Sequence, residues 1–178
     1  MIKKLLLSEG RTVCSKSELD GLRDAWLYLK PFLNDENRGF IEEELLNDIN
    51  GRLLSRTKST YSYLPRITVF ENKCKVYTHP SDIASRMRML IDRYNYDFNF
   101  VKTIEEALCQ FVIDFLQVHP YSDGNGRTIK MVIWYVMKSK YNIECIEFID
   151  YSPWCELVYW KNYEDILHWL RQIKNHNT

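Results

Sequence analysis

The run from Ile104 to Val118 limits the possible fold more than any other stretch. Ile104, Ala107, Leu108, Phe111, Val112, Phe115 and Leu116 cover most of the circumference of a helix. A helix that is apolar on nearly every side has to be surrounded by other elements, which places this one at the centre of a domain. Thr103 and Glu106 form a capping box at its start. A second apolar run, Lys130 to Met137, follows closely. Between them lies His119-Pro120-Tyr121-Ser122-Asp123-Gly124-Asn125-Gly126-Arg127-Thr128, which holds a base, a carboxylate, two glycines and an arginine in one turn. So much polarity between buried helices is costly unless it has a use. Gly124 and Gly126 let the backbone approach an anion, and Arg127 opens the next helix, whose free N–H groups and positive dipole end favour phosphate. The stretch reads as a phosphate cradle with a histidine beside it.

The remaining periodicity predicts a helical scaffold. Leu19, Leu22, Trp26, Leu29 and Leu33 recur at helical spacing behind a cap at Ser17, and Pro31 ends or kinks that helix. Ile41, Leu45, Ile49 and Leu53 mark a second helix; Ile83, Met87, Leu90, Ile91 and Tyr94 mark a third. Tyr159, Tyr163, Ile166, Trp169, Leu170 and Ile173 predict a terminal helix over about 156–173. The segment Pro65–His79 differs: Ile67, Val69, Val76 and Tyr77 are β-formers flanking Glu71-Asn72-Lys73-Cys74, which predicts a short hairpin with an exposed edge. With 178 residues and 46% hydrophobic content, the chain suits one domain over 1–178. Its parts are N-terminal helices over about 1–60, the hairpin over 65–79, core helices with the polar loop over about 81–140, and the terminal helix. Trp26, Trp134, Trp154, Trp160 and Trp169 read as core.

Several classes are disfavoured. Lys plus Arg equals Asp plus Glu at 24 each, so net charge gives no ground for nonspecific binding to nucleic acid or a membrane. The five cysteines, Cys14, Cys74, Cys109, Cys145 and Cys155, are odd in number and lack a C-x-x-C pair, which argues against a disulfide framework or structural zinc and for a reducing cytosol. Ser8, Glu9, Gly10 and Arg11 interrupt the start before a signal-peptide core is complete. No apolar stretch approaches the ~20 residues that span a bilayer. The G-x-x-x-x-G-K-[ST] pattern of P-loop enzymes is absent. His79, His168 and His176 have no partners at ligand spacing.

The loop resembles the signature of Fic-domain proteins, H-x-F-x-[DE]-G-N-G-R-x-x-R. His119, Asp123, Gly124, Asn125, Gly126 and Arg127 match, while Tyr121 replaces Phe and Lys130 replaces the second Arg. Hairpin, helix, capped helix, loop and helix also follow in the family's order from about Pro65 to Met137. The resemblance implies a mainly α, Fic-like helical domain with a small β-hairpin flap. It also implies transfer of a nucleoside monophosphate, usually AMP from ATP, onto a hydroxyl of a target protein, with pyrophosphate leaving.

The residue types suit that chemistry. Imidazole titrates near ~6.5, so His119 can take a proton from a hydroxyl near neutral pH. Mg²⁺ prefers carboxylate and phosphate oxygens, which makes Asp123 its expected ligand. Gly124, Asn125 and Gly126 are expected to stabilise phosphate charge, and Arg127 to grip the departing phosphates. Lys130 keeps the charge of the second Arg without its fork, and Tyr121 adds a hydroxyl that needs a partner.

By the same resemblance, Ile67, Thr68, Val69 and Phe70 of the flap dock a target segment by edge-strand addition. Family members often carry an inhibitory glutamate in [ST]-x-x-x-E-[GN]. Glu9, Glu36 and Glu71 lack the Ser or Thr, and Glu156 is followed by Leu157, so any restraint is expected from a separate protein such as an antitoxin. Rival expectations are Doc-like phosphoryl transfer, transfer of another phosphate-linked group, and a module that holds nucleotide or a partner without catalysis. Gly126 argues against the first, because the kinase variants replace that glycine, and Lys130 sustains the last. The cytosol in question is the producing cell's own or that of a cell into which the chain is delivered as an effector.

Overall fold

The computed structural model describes residues 15–34, 38–65, 67–70, 73–143 and 163–177. Helix α1, Lys16–Leu29, starts at a capping box in which Ser15 Oγ accepts from Glu18 N and Glu18 Oε2 accepts from Ser15 N, at 3.2 and 3.1 Å. The cap is therefore Ser15 and not Ser17, whose hydroxyl lies inside the first turn, 3.3 Å from that of Ser55. Pro31 ends the helix as expected and opens a short 3-10 turn, Pro31–Asn34. Helix α2, Glu43–Leu53, packs on α1. The two approach closely at Gly21, where a Cβ would meet Leu53 O at 2.7 Å. Ile41 precedes α2 but is buried, its backbone N–H and C=O both taken by the Asn95 side chain.

Strands β1, Ile67–Phe70, and β2, Lys73–Val76, form one antiparallel hairpin with Ile67 opposite Val76 and Phe70 opposite Lys73. Ile67 and Val76, paired at the open end of this two-stranded ribbon, are exposed. Helix α3, Pro80–Phe100, has proline at its first position, where no backbone donor is needed. Helix α4, Ile104–Val118, begins with the expected Thr103–Glu106 capping box and packs on α3, α5 and α6. Helix α5, Asn125–Tyr141, is buried without interruption from Arg127 to Met137. Helix α6, Tyr163–Asn177, closes the other side of α4.

The protein is thus mainly α-helical with a β-hairpin, and α4 and α5 form its middle. A buried ionic node joins their far ends to α6: Glu105 accepts from Lys174 Nζ at 2.9 Å and from the Tyr141 hydroxyl at 3.0 Å. Cys109 lies inside the α4–α6 contact, donating to Tyr163 O at 3.4 Å, and burial pushes its thiol pKa up to about 12. Among the described residues no helix is long and apolar enough to cross a membrane. Trp134 and Trp169 are core residues, and Trp26 packs beside Trp134. Cys14, Cys145, Cys155, Trp154, Trp160, Tyr159, Ser152, Glu156, Glu9, Glu36 and Glu71 lie outside the described residues.

Candidate active site

The site is assembled from the end of α4 and the start of α5. His119 is the C-terminal cap of α4: its N–H donates to Phe115 O at 2.8 Å, and its backbone is left-handed, φ 53° and ψ 58°. That conformation usually falls to glycine, and a side chain there costs roughly 1 kcal/mol. The chain thus accepts strain to place an imidazole at this point. The ring is half-buried with Nδ1 inside, and it stacks on Tyr77, with centroids 4.0 Å and planes 23° apart.

The loop is then held from several sides. Pro120 O accepts from Ser62 N at 2.8 Å. Tyr121 points into the core against Phe115 and Tyr61, and its extra hydroxyl finds the partner it needs in Asn47 Oδ1 at 2.9 Å. Burial first, then the neighbouring Tyr61, holds its phenol well above the usual tyrosine range. Asn125 grips the backbone of Tyr121 reciprocally, with Oδ1 accepting from its N–H at 3.0 Å and Nδ2 donating to its C=O at 2.7 Å. Gly124 caps α5 in the left-handed region at φ 77°, where a Cβ would also strike Asn50 Nδ2 at 2.8 Å. Asn50 is fully buried on α2 and donates to Asp123 O and Thr128 Oγ1 at 3.0 and 2.9 Å, tying both sides of the turn to the scaffold.

The charged residues are arranged asymmetrically. The Asp123 side chain is 68% exposed, accepts from Gly124 N–H at 2.6 Å and pairs with Arg127 at 3.2 Å. Arg127 is buried, and its other terminal nitrogen lies 3.8 Å from Glu18 of α1. Lys130 has no exposed surface. His119 is the C-terminal cap of α4, and Gly124, Asn125, Gly126, Arg127 and Lys130 lie at the cap and in the opening turns of α5. The first N–H groups of that helix have no intrahelical acceptor, which suits an anion. Asp123 is a fitting ligand for Mg²⁺, which takes one or two carboxylates and completes its shell with substrate phosphates and water. No cluster of three potential metal ligands occurs among the described residues, so a closed protein cage is not what they offer.

The backbone of Ile67, Thr68, Val69 and Phe70 forms β1 of the hairpin, and Tyr77, just past β2, carries the hairpin to His119. Sequence reasoning missed Asn50, Asn47, Glu18 and the role of Tyr77. None is near the loop in the chain, and Tyr77 was read only as a β-former of the hairpin.

Comparison with known proteins agrees with this architecture. The chain superposes on a Fic domain containing signaling protein from Bacteroides thetaiotaomicron with TM-score 0.75 at 19% identity, covering 97% of this chain and 74% of that one. It superposes on a Fic family protein from Desulfovibrio desulfuricans with TM-score 0.73 at 16% identity, covering 98% and 62%. For Fic-1 from C. elegans the values are 0.64 and 18%, covering 99% and 54%. At such identities the likeness establishes the fold. A sequence match to the ribonucleoside-diphosphate reductase small chain of Ostreid herpesvirus 1 reaches 37% identity over 59 residues, 29% of this chain and 10% of that protein. This chain thus spans about a tenth of that curated relative. A model of the Fic/DOC family matches residues 40–137, more than half of the 178 residues and with the whole loop inside, so the chain belongs to the Fic/DOC family.

Proposed function

We propose that the chain is a protein adenylyltransferase that moves AMP from ATP to a hydroxyl side chain of a target protein. The hydroxyl oxygen attacks the α-phosphorus while His119 takes its proton, the bond from that phosphorus to the β-bridging oxygen breaks, and pyrophosphate leaves. With Nδ1 buried, the accepting nitrogen is Nε2. General-base assistance of this kind contributes ~10²–10⁴ in rate. The N–H groups of Gly126 and Arg127 stabilise the phosphate charge, and Asn125 keeps the turn in shape through its hold on the Tyr121 backbone. Arg127 exchanges its Asp123 and Glu18 contacts for the departing phosphates. Lys130 contributes once the turn parts enough to admit a terminal phosphate. Asp123 would hold Mg²⁺, which neutralises phosphate charge when bound.

The observation that carries this reading is that His119 ends α4 in a strained cap shortly before the glycine-bounded start of α5, with Gly126 retained. A bulky residue at that glycine is what the resemblance associates with phosphoryl transfer. The hairpin serves as the docking edge for an extended target segment. A separate inhibitory protein would act by placing a carboxylate near Arg127 and Lys130. The test is transfer to target protein from ATP labelled at the α-phosphate or at the γ-phosphate. Label from the α-position alone is expected; label from the γ-position alone would replace the reading with a kinase.

A second reading, a module that holds nucleotide without transferring it, draws on the internal satisfaction of the cradle. Arg127 is paired, Asn125 clamps Tyr121 and Lys130 is buried. Tight Mg²⁺-ATP binding with transfer of neither label would favour it.

A further inference from the structure

The imidazole of His119 stacks on a ring that belongs to the flap. Tyr77 follows β2 directly, and its ring lies parallel to the imidazole within 23° at a centroid distance of 4.0 Å. It also forms part of the wall of a groove of about 1010 Å³ with Val76, Met89, Leu90, Gln117 and Val118, so the aromatic ring joins hairpin, α3 and α4 at one point. An imidazole accepts a proton along a lone pair in the plane of its ring. A stack covers a face and leaves that plane open, yet opposes the tilt that would swing the lone pair away. The backbone end of His119 is fixed by the helix cap, and the stacked Tyr77 ring narrows the torsion at the ring end, which is intrinsically broad for such a terminal bond.

We infer that Tyr77 is a positioning residue for His119 and that it transmits the seating of the flap to the orientation of the base. The inference rests on the transferase reading for its kinetic arm and on the ring contact alone for its structural arm. A target segment that pairs with the hairpin edge settles β2, settles Tyr77 with it, and so aligns the imidazole when a hydroxyl is at hand. The phenol oxygen has no part in this, so Phe suffices where Leu, of comparable apolar bulk, does not.

The experiment uses the full chain and the variants Tyr77→Phe, Tyr77→Leu and Tyr77→Ala. The ring C–H resonances of His119, assigned by their loss in His119→Ala, are expected upfield in the parent and in Tyr77→Phe because of the stacked ring, and shifted downfield in Tyr77→Leu and Tyr77→Ala. In transfer from α-labelled ATP, Tyr77→Leu is expected to lower kcat about ten- to a hundredfold with an unchanged KM for nucleotide, the scale of a misplaced catalytic group, and Tyr77→Phe to restore it. Ring resonances that stay put in a folded Tyr77→Leu protein would overturn the inference. So would equal kcat losses in Phe and Leu variants, or a change confined to nucleotide KM. A parent that transfers no label would sink the transferase reading and leave the His119 resonances to decide the stack.

Discussion

His119 combines a chemical role with a conformational cost, and substitution can separate the two. Replacing it with Ala or with Gly removes the same imidazole and the same stack, so either change should lower transfer by ~10²–10⁴. The stabilities should diverge, because Ala at φ 53° keeps the strain that Gly escapes. His119→Gly is expected to be more stable than His119→Ala by about 1 kcal/mol in denaturant unfolding. Equal midpoints would mean that the left-handed cap stores nothing. Asn125 and Tyr121 make a second pair of tests. Asn125→Ala leaves the buried N–H and C=O of Tyr121 without their partner, an expected loss of about 3 kcal/mol in thermal unfolding and of transfer with it. Tyr121→Phe restores the ring that the family pattern carries. It gives up only the bond to Asn47, so about 1 kcal/mol should go while activity stays.

At the level of elements, the hairpin is the part whose proposed use can be read directly from backbone parity. In an antiparallel pair, alternate residues send their N–H into the ladder and the ones between send it outward. A proline scan over Ile67, Thr68, Val69 and Phe70 should therefore alternate. One parity unpairs β1 from β2, and the other leaves the hairpin intact but removes the donors a docked segment needs. The docking proposal predicts loss of target modification at both parities with nucleotide affinity unchanged throughout, and proton exchange of the β2 amides should change at only one. Full target modification by every variant would reduce the hairpin to scaffold.

Elements of this kind were legible wherever their cause is local. The Thr103–Glu106 box, the break at Pro31 and the alternating β-formers each sit within a few residues of the boundary they set. The first cap was misplaced by two positions because Ser15 and Ser17 are both good caps. What decides between them is Glu18, which stands three residues after Ser15 and completes a capping box, where Ser17 has Asp20. The site was legible as chemistry and not as support: Asp123 to Arg127 announce themselves by spacing, whereas Asn50 and Tyr77 reach the loop from other elements and leave no mark beside it.

Across the whole molecule, the ends of α4, α5 and α6 converge on Glu105, and this node should set part of the acid stability. Burial pushes its carboxyl pKa up, but the bonds from Lys174 and Tyr141 and the helix start outweigh it, so the folded pKa lies below the usual carboxylate value. A group whose pKa is depressed by folding stabilises the protein above its unfolded pKa and loses that contribution as pH falls through the folded one. Glu105→Gln should thus melt below the parent at neutral pH, and the gap should close as pH drops below about 4. A gap independent of pH would show that shape and not charge matters there. The same α4–α6 seam contains Cys109, whose thiol is both covered by Tyr163 and far from ionised at neutral pH. A thiol in that state is invisible to alkylating reagents until α6 lifts away, so the rate at which the Cys109 peptide takes up label is a clock for that opening. Run beside a nucleotide titration, the clock would tell whether filling the loop at one end of the central helices slows the breathing of the seam at the other.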